Sequence, residues 1–172
     1  MGKYELSDYK AHWSISVKKT IAVHKNKLWH IISKPSNLEL FHAYCKENKI
    51  VKWPGKGSVD LLTYDNGTTY KREFIEWTEN NGYALFIGTE NKPKSYVKWE
   101  LVSINECTEI KISVAPYFMM NIPKIISFLP FKIYIEPMLK KYLRVVLNGL
   151  NDYADPKQSY KKNRFKYHPW FC

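Results

Sequence analysis

Six short strand-like stretches occupy residues 48–115, with only a few turn residues between neighbours. They lie at about 48–53, 58–64, 68–77, 83–88, 95–102 and 108–115. Links this short join antiparallel strands, because a parallel pair needs a crossover of about a dozen residues or more. An alternating apolar and polar run over 13–23 predicts a further, half-buried strand before them. The pattern therefore predicts a seven-stranded antiparallel sheet.

Helical patterns stand on both sides of the second to seventh strands. Residues 25–33 have apolar side chains at helical spacing, and Pro35 ends this helix. Ser36 and Glu39 form a capping box that predicts a second short helix, containing Leu40, Phe41 and Tyr44. A long helix is predicted over 134–154, and its apolar stripe covers one face of the sheet. That stripe consists of Ile135, Leu139, Tyr142, Val146, Leu150 and Tyr153.

The turn at 65–67 sets the register of a central hairpin. A three-residue loop, with Gly67 in the left-handed region, pairs Asp60 with Arg72. A two-residue loop would place Asp60 opposite Glu73, a destabilising pair of like charges. We therefore predict the first register, in which an acid and a base face each other. The same strand surface carries Leu62, Tyr70 and Phe74.

The composition favours a cavity and argues against nucleic acid. Aromatic residues make up 16% of the chain, and Tyr and Trp combine large apolar rings with polar groups. The formal net charge of +11 comes from basic residues that are mostly Lys and are scattered along every segment. Specific recognition of nucleic acid favours Arg and a concentrated basic stripe, so we expect no nucleic-acid partner.

The cysteines and histidines do not suggest a metal site. Cys45, Cys107 and Cys172 are odd in number and unrelated in spacing, which favours free thiols. His42 with Cys45 is too sparse for a zinc site, which needs four clustered ligands, or for a nucleophilic pair without an orienting acid. We expect no metal and no cofactor. The first residues lack an apolar signal core, so we expect a cytoplasmic protein.

Several phrases of the chain resemble those of bacterial members of the START-like superfamily, also called SRPBCC. They are residues 21–41, the turn Trp53-Pro54-Gly55 and residues 66–77, and the resemblance spans roughly residues 12–155. It implies an α+β helix-grip fold, in which the seven-stranded antiparallel sheet grips the long C-terminal helix and two short helices follow strand 1. We treat 1–155 as one such domain and 156–172 as a basic, aromatic tail.

The resemblance also implies an elongated, mainly apolar cavity between sheet and helix. Ligands of the superfamily include lipids, sterols, polyketides and hormones, so the first expectation is a non-catalytic binder or carrier of a hydrophobic small molecule. The alternative is a polyketide cyclase or aromatase, which would use Tyr and Arg to polarise a carbonyl and an acid to move a proton. The residues expected to contact the ligand are Asp60, Leu62, Tyr70, Arg72, Phe74, Trp99, Met138 and Tyr142.

The sequence leaves three interpretations of the pair Asp60 and Arg72 open. It could be a buried ion pair that fixes strand register, a contact for the polar group of a ligand, or part of a catalytic site. Loss of one partner of a buried pair costs about 3 to 5 kcal/mol, so instability of a variant cannot by itself demonstrate a functional role.

The segment 117–131 and the tail also leave alternatives open. The stretch 115–131, which contains this segment, is strongly apolar, but Pro116, Asn121, Pro123, Lys124 and Pro130 interrupt it too often for a membrane span. It could be a lid over the cavity, part of the core, a dimer patch or the surface of a protein-interaction module. The tail could dock onto the sheet, bind a second subunit or adhere to an anionic membrane.

Overall fold

The computed structural model describes residues 5–155 and 169–170. Its strands are β1 (Ile15–Ile21), β2 (Cys45–Lys52), β3 (Val59–Tyr64), β4 (Thr69–Thr78), β5 (Gly82–Gly88), β6 (Ser95–Ile104) and β7 (Cys107–Ala115). Its α-helices are α1 (Leu6–Ala11), α2 (Lys25–Ser33), α3 (Leu38–Phe41), α4 (Lys124–Pro130) and α5 (Glu136–Ala154). A 3-10 turn (Tyr117–Met119) precedes α4, and a π turn (Phe131–Ile135) joins α4 to α5.

The strands form one antiparallel sheet in the order β1-β7-β6-β5-β4-β3-β2. Neighbours from β2 to β7 are also neighbours in sequence, as their short links require. β1 pairs with β7 at the far edge, because α2 and α3 carry the chain from β1 to the opposite side of the sheet. The predicted seven-stranded antiparallel sheet and α+β class are confirmed.

The long helix α5 covers one face of this sheet and contacts β1 and α3. Its buried side chains include Leu139, Leu143, Val146 and Leu150, which recur every three or four residues and so share one face. Burial of each such side chain stabilises the fold by about 1.5 to 3 kcal/mol. The inner face of the sheet meets them with buried apolar residues that include Leu62, Leu85, Ile110 and Ile112.

The predicted register of the β3–β4 hairpin is confirmed. Asp60 is the pairing partner of Arg72, and Leu62 is the partner of Tyr70. Gly67 has a φ of 83°, the left-handed conformation that the three-residue loop requires. The acid and the base therefore lie side by side on the face of the sheet that α5 covers.

The second short helix differs from the prediction. α3 ends at Phe41, so Tyr44 lies outside it, and the predicted capping box is wrong. The Glu39 carboxylate instead accepts a hydrogen bond from the backbone N–H of Asn48 at 2.7 Å. β2 begins at Cys45, earlier than predicted, and it contacts α3, so its backbone lies within reach of this carboxylate. α1, a helix of 6 residues, is not predicted by the sequence pattern.

Gly82 is the position where glycine is most strongly required. Its φ is 134°, and a Cβ atom there would lie 2.0 Å from the backbone oxygen of Trp99. Gly82→Ala should lower the free energy of unfolding by at least about 2 kcal/mol, measured by urea denaturation. Gly67→Ala is the matched control, since its φ is also positive but an added Cβ meets no atom within 4 Å. Equal losses in the two variants would contradict a clash with Trp99.

Candidate functional site

A cavity of about 560 Å³ lies between the sheet and α5. Small-molecule pockets occupy roughly 300 to 1,000 Å³, so this volume suits a ligand. Most of the lining side chains are apolar and come from β3 to β7 and α5. They include Leu62, Leu85, Val97, Ile112, Val114, Leu139 and Val146.

The structure brings some of the predicted ligand-contact residues together and leaves others out. Those that line the cavity are Leu62, Tyr70, Arg72, Trp99 and Tyr142. Asp60, Phe74 and Met138 are not among its described lining residues. Their expected contact with a cavity ligand therefore has no direct geometric support.

Each of these three side chains lies off the cavity for a geometric reason. Asp60 is on the inward face of β3 but is fully buried, and its carboxylate is bonded to Arg72, the member of the pair that lines the cavity. Met138 is one position before the lining residue Leu139 and so is rotated about 100° around α5. Phe74 is buried on β4 and is not among the described lining residues. Its ring packs against Trp53, Trp77 and Tyr83.

Arg72 and Asp60 form a bidentate ion pair. Arg72 Nε donates to Asp60 Oδ1 at 2.7 Å, and Arg72 Nη2 donates to Asp60 Oδ2. The two side chains are 4% and 0% exposed. Burial lowers the pKa of Arg72, but the carboxylate of Asp60 raises it by more, so the net shift is upward. The guanidinium of Arg72 therefore stays charged, and both carboxyl oxygens of Asp60 are bonded to it.

A polar cluster of His42, Tyr64 and Tyr142 forms part of the same cavity wall. The Tyr142 hydroxyl lies 2.8 Å from His42 Nε2 and 3.1 Å from the Tyr64 hydroxyl. The backbone N–H of Tyr44 donates to His42 Nδ1 at 3.3 Å. Because Nδ1 accepts this bond, a neutral His42 carries its proton on Nε2 and donates it to Tyr142.

Sequence reasoning missed two members of this polar cluster. Tyr64 follows Asp60 and Leu62 at alternate positions of β3, so strict alternation would have placed it on the inward face. His42 has no comparable signal. It follows α3 in an irregular link and meets Tyr142 across 100 residues of sequence, a contact that only the folded chain creates.

No family model matches the sequence, and no curated protein matches it. Solved structures do match. A protein of the dynemicin biosynthetic locus has a TM-score of 0.66 at 11% identity, covering 87% of this chain and 50% of its own. Protein MLL2253 of Mesorhizobium loti has a TM-score of 0.65 at 15% identity, and the match covers 86% of this chain and 100% of MLL2253. A START superfamily protein of Mycobacterium smegmatis has a TM-score of 0.58 at 14% identity, and the match covers 80% of this chain and 94% of that protein.

The chain has a helix-grip fold, which it shares with the START superfamily protein. The seven-stranded sheet and the long C-terminal helix match these neighbours, so the fold implied by the resemblance in the sequence is confirmed. At sequence identities this low, structural similarity identifies the fold but does not identify a ligand or a reaction. The chain spans half the length of the dynemicin-locus protein. What the helix-grip cavity holds must therefore be inferred from its own residues.

The phenols of the polar cluster are strongly protected from ionisation. Burial raises the pKa of Tyr64 well above 10.0, and the neighbouring Tyr142 raises it further. Burial also raises the pKa of Tyr142. Both side chains are therefore neutral hydrogen-bonding groups over the whole physiological pH range.

This protection predicts a loss of stability in alkali. Above pH of about 10 the unfolded chain releases these phenolic protons and the folded chain keeps them, so the unfolded state binds fewer protons. The free energy of unfolding should fall there by up to about 1.4 kcal/mol per pH unit for each phenol. Denaturation midpoints measured from pH 8 to 11 should fall less steeply in Tyr142→Phe than in the natural protein. Equal slopes would contradict the prediction.

Trp170 lies at one end of the cavity. Its side chain lines the cavity together with the exposed residues Lys92 and Phe118, so the cavity reaches the surface there. Its carbonyl accepts a hydrogen bond from Asn66 Nδ2 at 3.0 Å, and its ring meets Phe118 and Tyr134 edge to face. The expectation for the remainder of the 156–172 tail, Cys172 included, lies outside the described residues.

We expect Trp170→Ala to widen this opening. Release of a bound neutral fluorescent probe, N-phenyl-1-naphthylamine, should then be severalfold faster in a stopped-flow displacement experiment. Asn66→Ala keeps the Trp170 ring but removes the hydrogen bond to the Trp170 carbonyl, together with the turn bond that the Thr68 N–H donates to Asn66 Oδ1, and should change the rate in the same direction by less. An unchanged release rate in both variants would show that Trp170 does not limit passage.

The segment between β7 and α5 is partly core and partly exposed. Phe131 is buried and stacks on Trp13, whose indole Nε1 donates to Ser127 Oγ at 2.9 Å. On the outer side, Ile125 is 91% exposed and Leu129 is 62% exposed. None of the described helices is long and apolar enough to cross a membrane. Within 5–155 and 169–170, no group of three or more His, Cys, Asp or Glu side chains could hold a metal ion.

Proposed function

We propose that this protein binds or carries a hydrophobic small molecule in the cavity between its sheet and α5. The observation that supports the proposal is a cavity of about 560 Å³ with apolar walls and one polar cluster. Burial of apolar ligand surface would supply most of the binding free energy, at roughly 25 cal/mol per Å². The polar cluster and Arg72 would orient the ligand.

Two measurements on the full chain test this function. Native mass spectrometry of the freshly purified protein should reveal a co-purified small molecule, or an empty protein that gains one mass of added N-phenyl-1-naphthylamine. Titration of the same probe should give saturable fluorescence with one site per chain. Absence of both a co-purified molecule and saturable probe binding would overturn the proposal.

A cyclase-type enzyme is the second candidate, and the hydrogen bond between His42 and Tyr142 favours it. Tyr142 and Arg72 could polarise a carbonyl, and the His42 imidazole could move a proton. The acid expected from the sequence is absent from the described lining, since Asp60 lies behind Arg72. Conversion of a linear poly-β-keto thioester to a ring product, lost in His42→Asn while probe binding persists, would support this candidate. Binding without turnover would leave the carrier function alone.

The exposed apolar side of α4 supports the expectation of a further partner. Ile125 and Ile126 are 91% and 65% exposed, and Lys124 lies beside them in a helix without an acid. An anionic membrane surface, a second copy of the chain or another protein could cover this side. Flotation with phosphatidylserine vesicles and sedimentation velocity separate the first two, and loss of either signal in Ile125→Lys would assign it to α4.

A further inference from the structure

Few charged side chains line the cavity. Among the described lining residues the charged side chains are Arg72 and Lys92, and no carboxylate is present. Lys92 is exposed in the turn between β5 and β6, where water screens its charge. Arg72 is the charged group inside, and the buried carboxylate of Asp60 neutralises it through two hydrogen bonds.

Uncharged hydrogen-bonding groups line the same cavity as Arg72. The polar cluster presents two phenol hydroxyls and an imidazole, held together by bonds of 2.8 and 3.1 Å. His42 itself is 2% exposed, and Tyr44 holds it in the tautomer that donates to Tyr142. Burial raises the pKa of both phenols, so neither becomes an anion in the physiological range. These groups offer hydrogen bonds without charge.

The free energy of desolvation on entering this cavity differs between charged and uncharged ligands. A carboxylate that enters the cavity loses its hydration and finds no uncompensated cation inside the described lining, and a buried unpaired charge is strongly unfavourable. A hydroxyl or carbonyl loses much less hydration and gains a hydrogen bond from the polar cluster. The aromatic faces of Tyr70, Trp99 and Tyr142 favour a ligand that contains rings.

We infer that the cavity selects an uncharged, ring-containing molecule with a hydroxyl or carbonyl oxygen and rejects a carboxylate of the same size. The Tyr142 hydroxyl, held between His42 and Tyr64, is the group that binds this oxygen. The inference rests on the proposed carrier function and adds the chemical class of its ligand. Free fatty acids and other apolar anions are thereby excluded as preferred ligands.

A matched pair of probes tests the inference. At pH 7, 2-naphthol is neutral and 2-naphthoate is an anion, while their ring systems are the same. In competition against N-phenyl-1-naphthylamine on the full chain, 2-naphthol should bind at least tenfold more tightly than 2-naphthoate. A 2-naphthol affinity no greater than that of 2-naphthoate, including failure of both to compete, would overturn the inference. Failure of N-phenyl-1-naphthylamine itself to bind would overturn the carrier function instead.

Two variants assign the selectivity to its residues. Tyr142→Phe keeps the ring and removes the hydroxyl, so the preference for 2-naphthol over naphthalene should fall at least fivefold while naphthalene affinity stays the same. Asp60→Asn leaves the charge of Arg72 uncompensated, so the preference for 2-naphthol over 2-naphthoate should shrink or reverse, provided that circular dichroism shows a native fold. Tyr142→Phe keeps both members of the ion pair, and an unchanged naphthol preference in it would refute the role of that hydroxyl.

Discussion

Replacing Arg72 with methionine should lower the free energy of unfolding by about 3 to 5 kcal/mol. The change leaves the carboxylate of Asp60, which is 0% exposed, without the cation that neutralises it. An unpaired buried charge is among the most damaging results of a single substitution. Urea denaturation followed by circular dichroism measures the loss.

Two further variants separate the ion pair from other effects of the substitution. Lys71→Met changes the preceding residue of β4, which points to the opposite face and pairs with Glu73 at 3.0 Å near the surface. Its effect should be much smaller, because solvent screens that pair. The double variant Asp60→Leu with Arg72→Met removes both charges and should recover most of the stability. A double variant as unstable as Arg72→Met would contradict the ion-pair explanation.

The double variant also addresses the three interpretations of the pair. If the ion pair only fixes strand register, a well-folded double variant should bind N-phenyl-1-naphthylamine as the natural protein does. If Arg72 contacts the ligand, affinity should fall even though the fold is retained. Stability and binding are therefore measured on the same protein, and neither is inferred from the other.

Filling the cavity should have the largest effect on binding. Val97→Trp places a large ring into the space between β6 and α5, and we expect the affinity for N-phenyl-1-naphthylamine to fall at least about tenfold. The overall fold should persist, because the added ring occupies a volume that is already empty. Fluorescence titration measures the affinity, and thermal denaturation checks the fold.

The matched control for this experiment lies on the same strand. Val102→Trp introduces the same ring at a position that is 55% exposed and does not line the cavity. Its affinity for the probe should equal that of the natural protein. Equal losses in both variants would indicate that the probe binds elsewhere, for example on the exposed side of α4, and not between the sheet and α5.

Local patterns predicted the fold well because each element is set by nearby residues. Alternation of apolar and polar residues marks the strands, and short links such as 65–67 make neighbours antiparallel. The pairing of Asp60 with Arg72 followed from one glycine and the repulsion of like charges. The predicted capping box was wrong for the opposite reason, since the partner of Glu39 is a backbone N–H outside its own helix, on β2.

The candidate site was predicted only in part. Alternation along β3 and β4 correctly gave the inward face, but it could not tell where along that face the cavity ends. Phe74 and Arg72 have the same parity on β4, yet only Arg72 lines the cavity, because aromatic rings fill the space around Phe74. Met138 shows the same limit on a helix, where one position changes the direction by about 100°.

By itself, the sequence determined the sheet, the gripping helix and the charge pair, because periodicity, turn chemistry and like-charge repulsion act between residues that are close along the chain or directly paired. The tertiary structure alone decided which charge faces the cavity and which lies behind it. It also joined His42 to Tyr142 across 100 residues. The shape of a cavity and the make-up of a polar cluster depend on contacts between residues that are far apart in sequence, so no local sequence pattern predicts them.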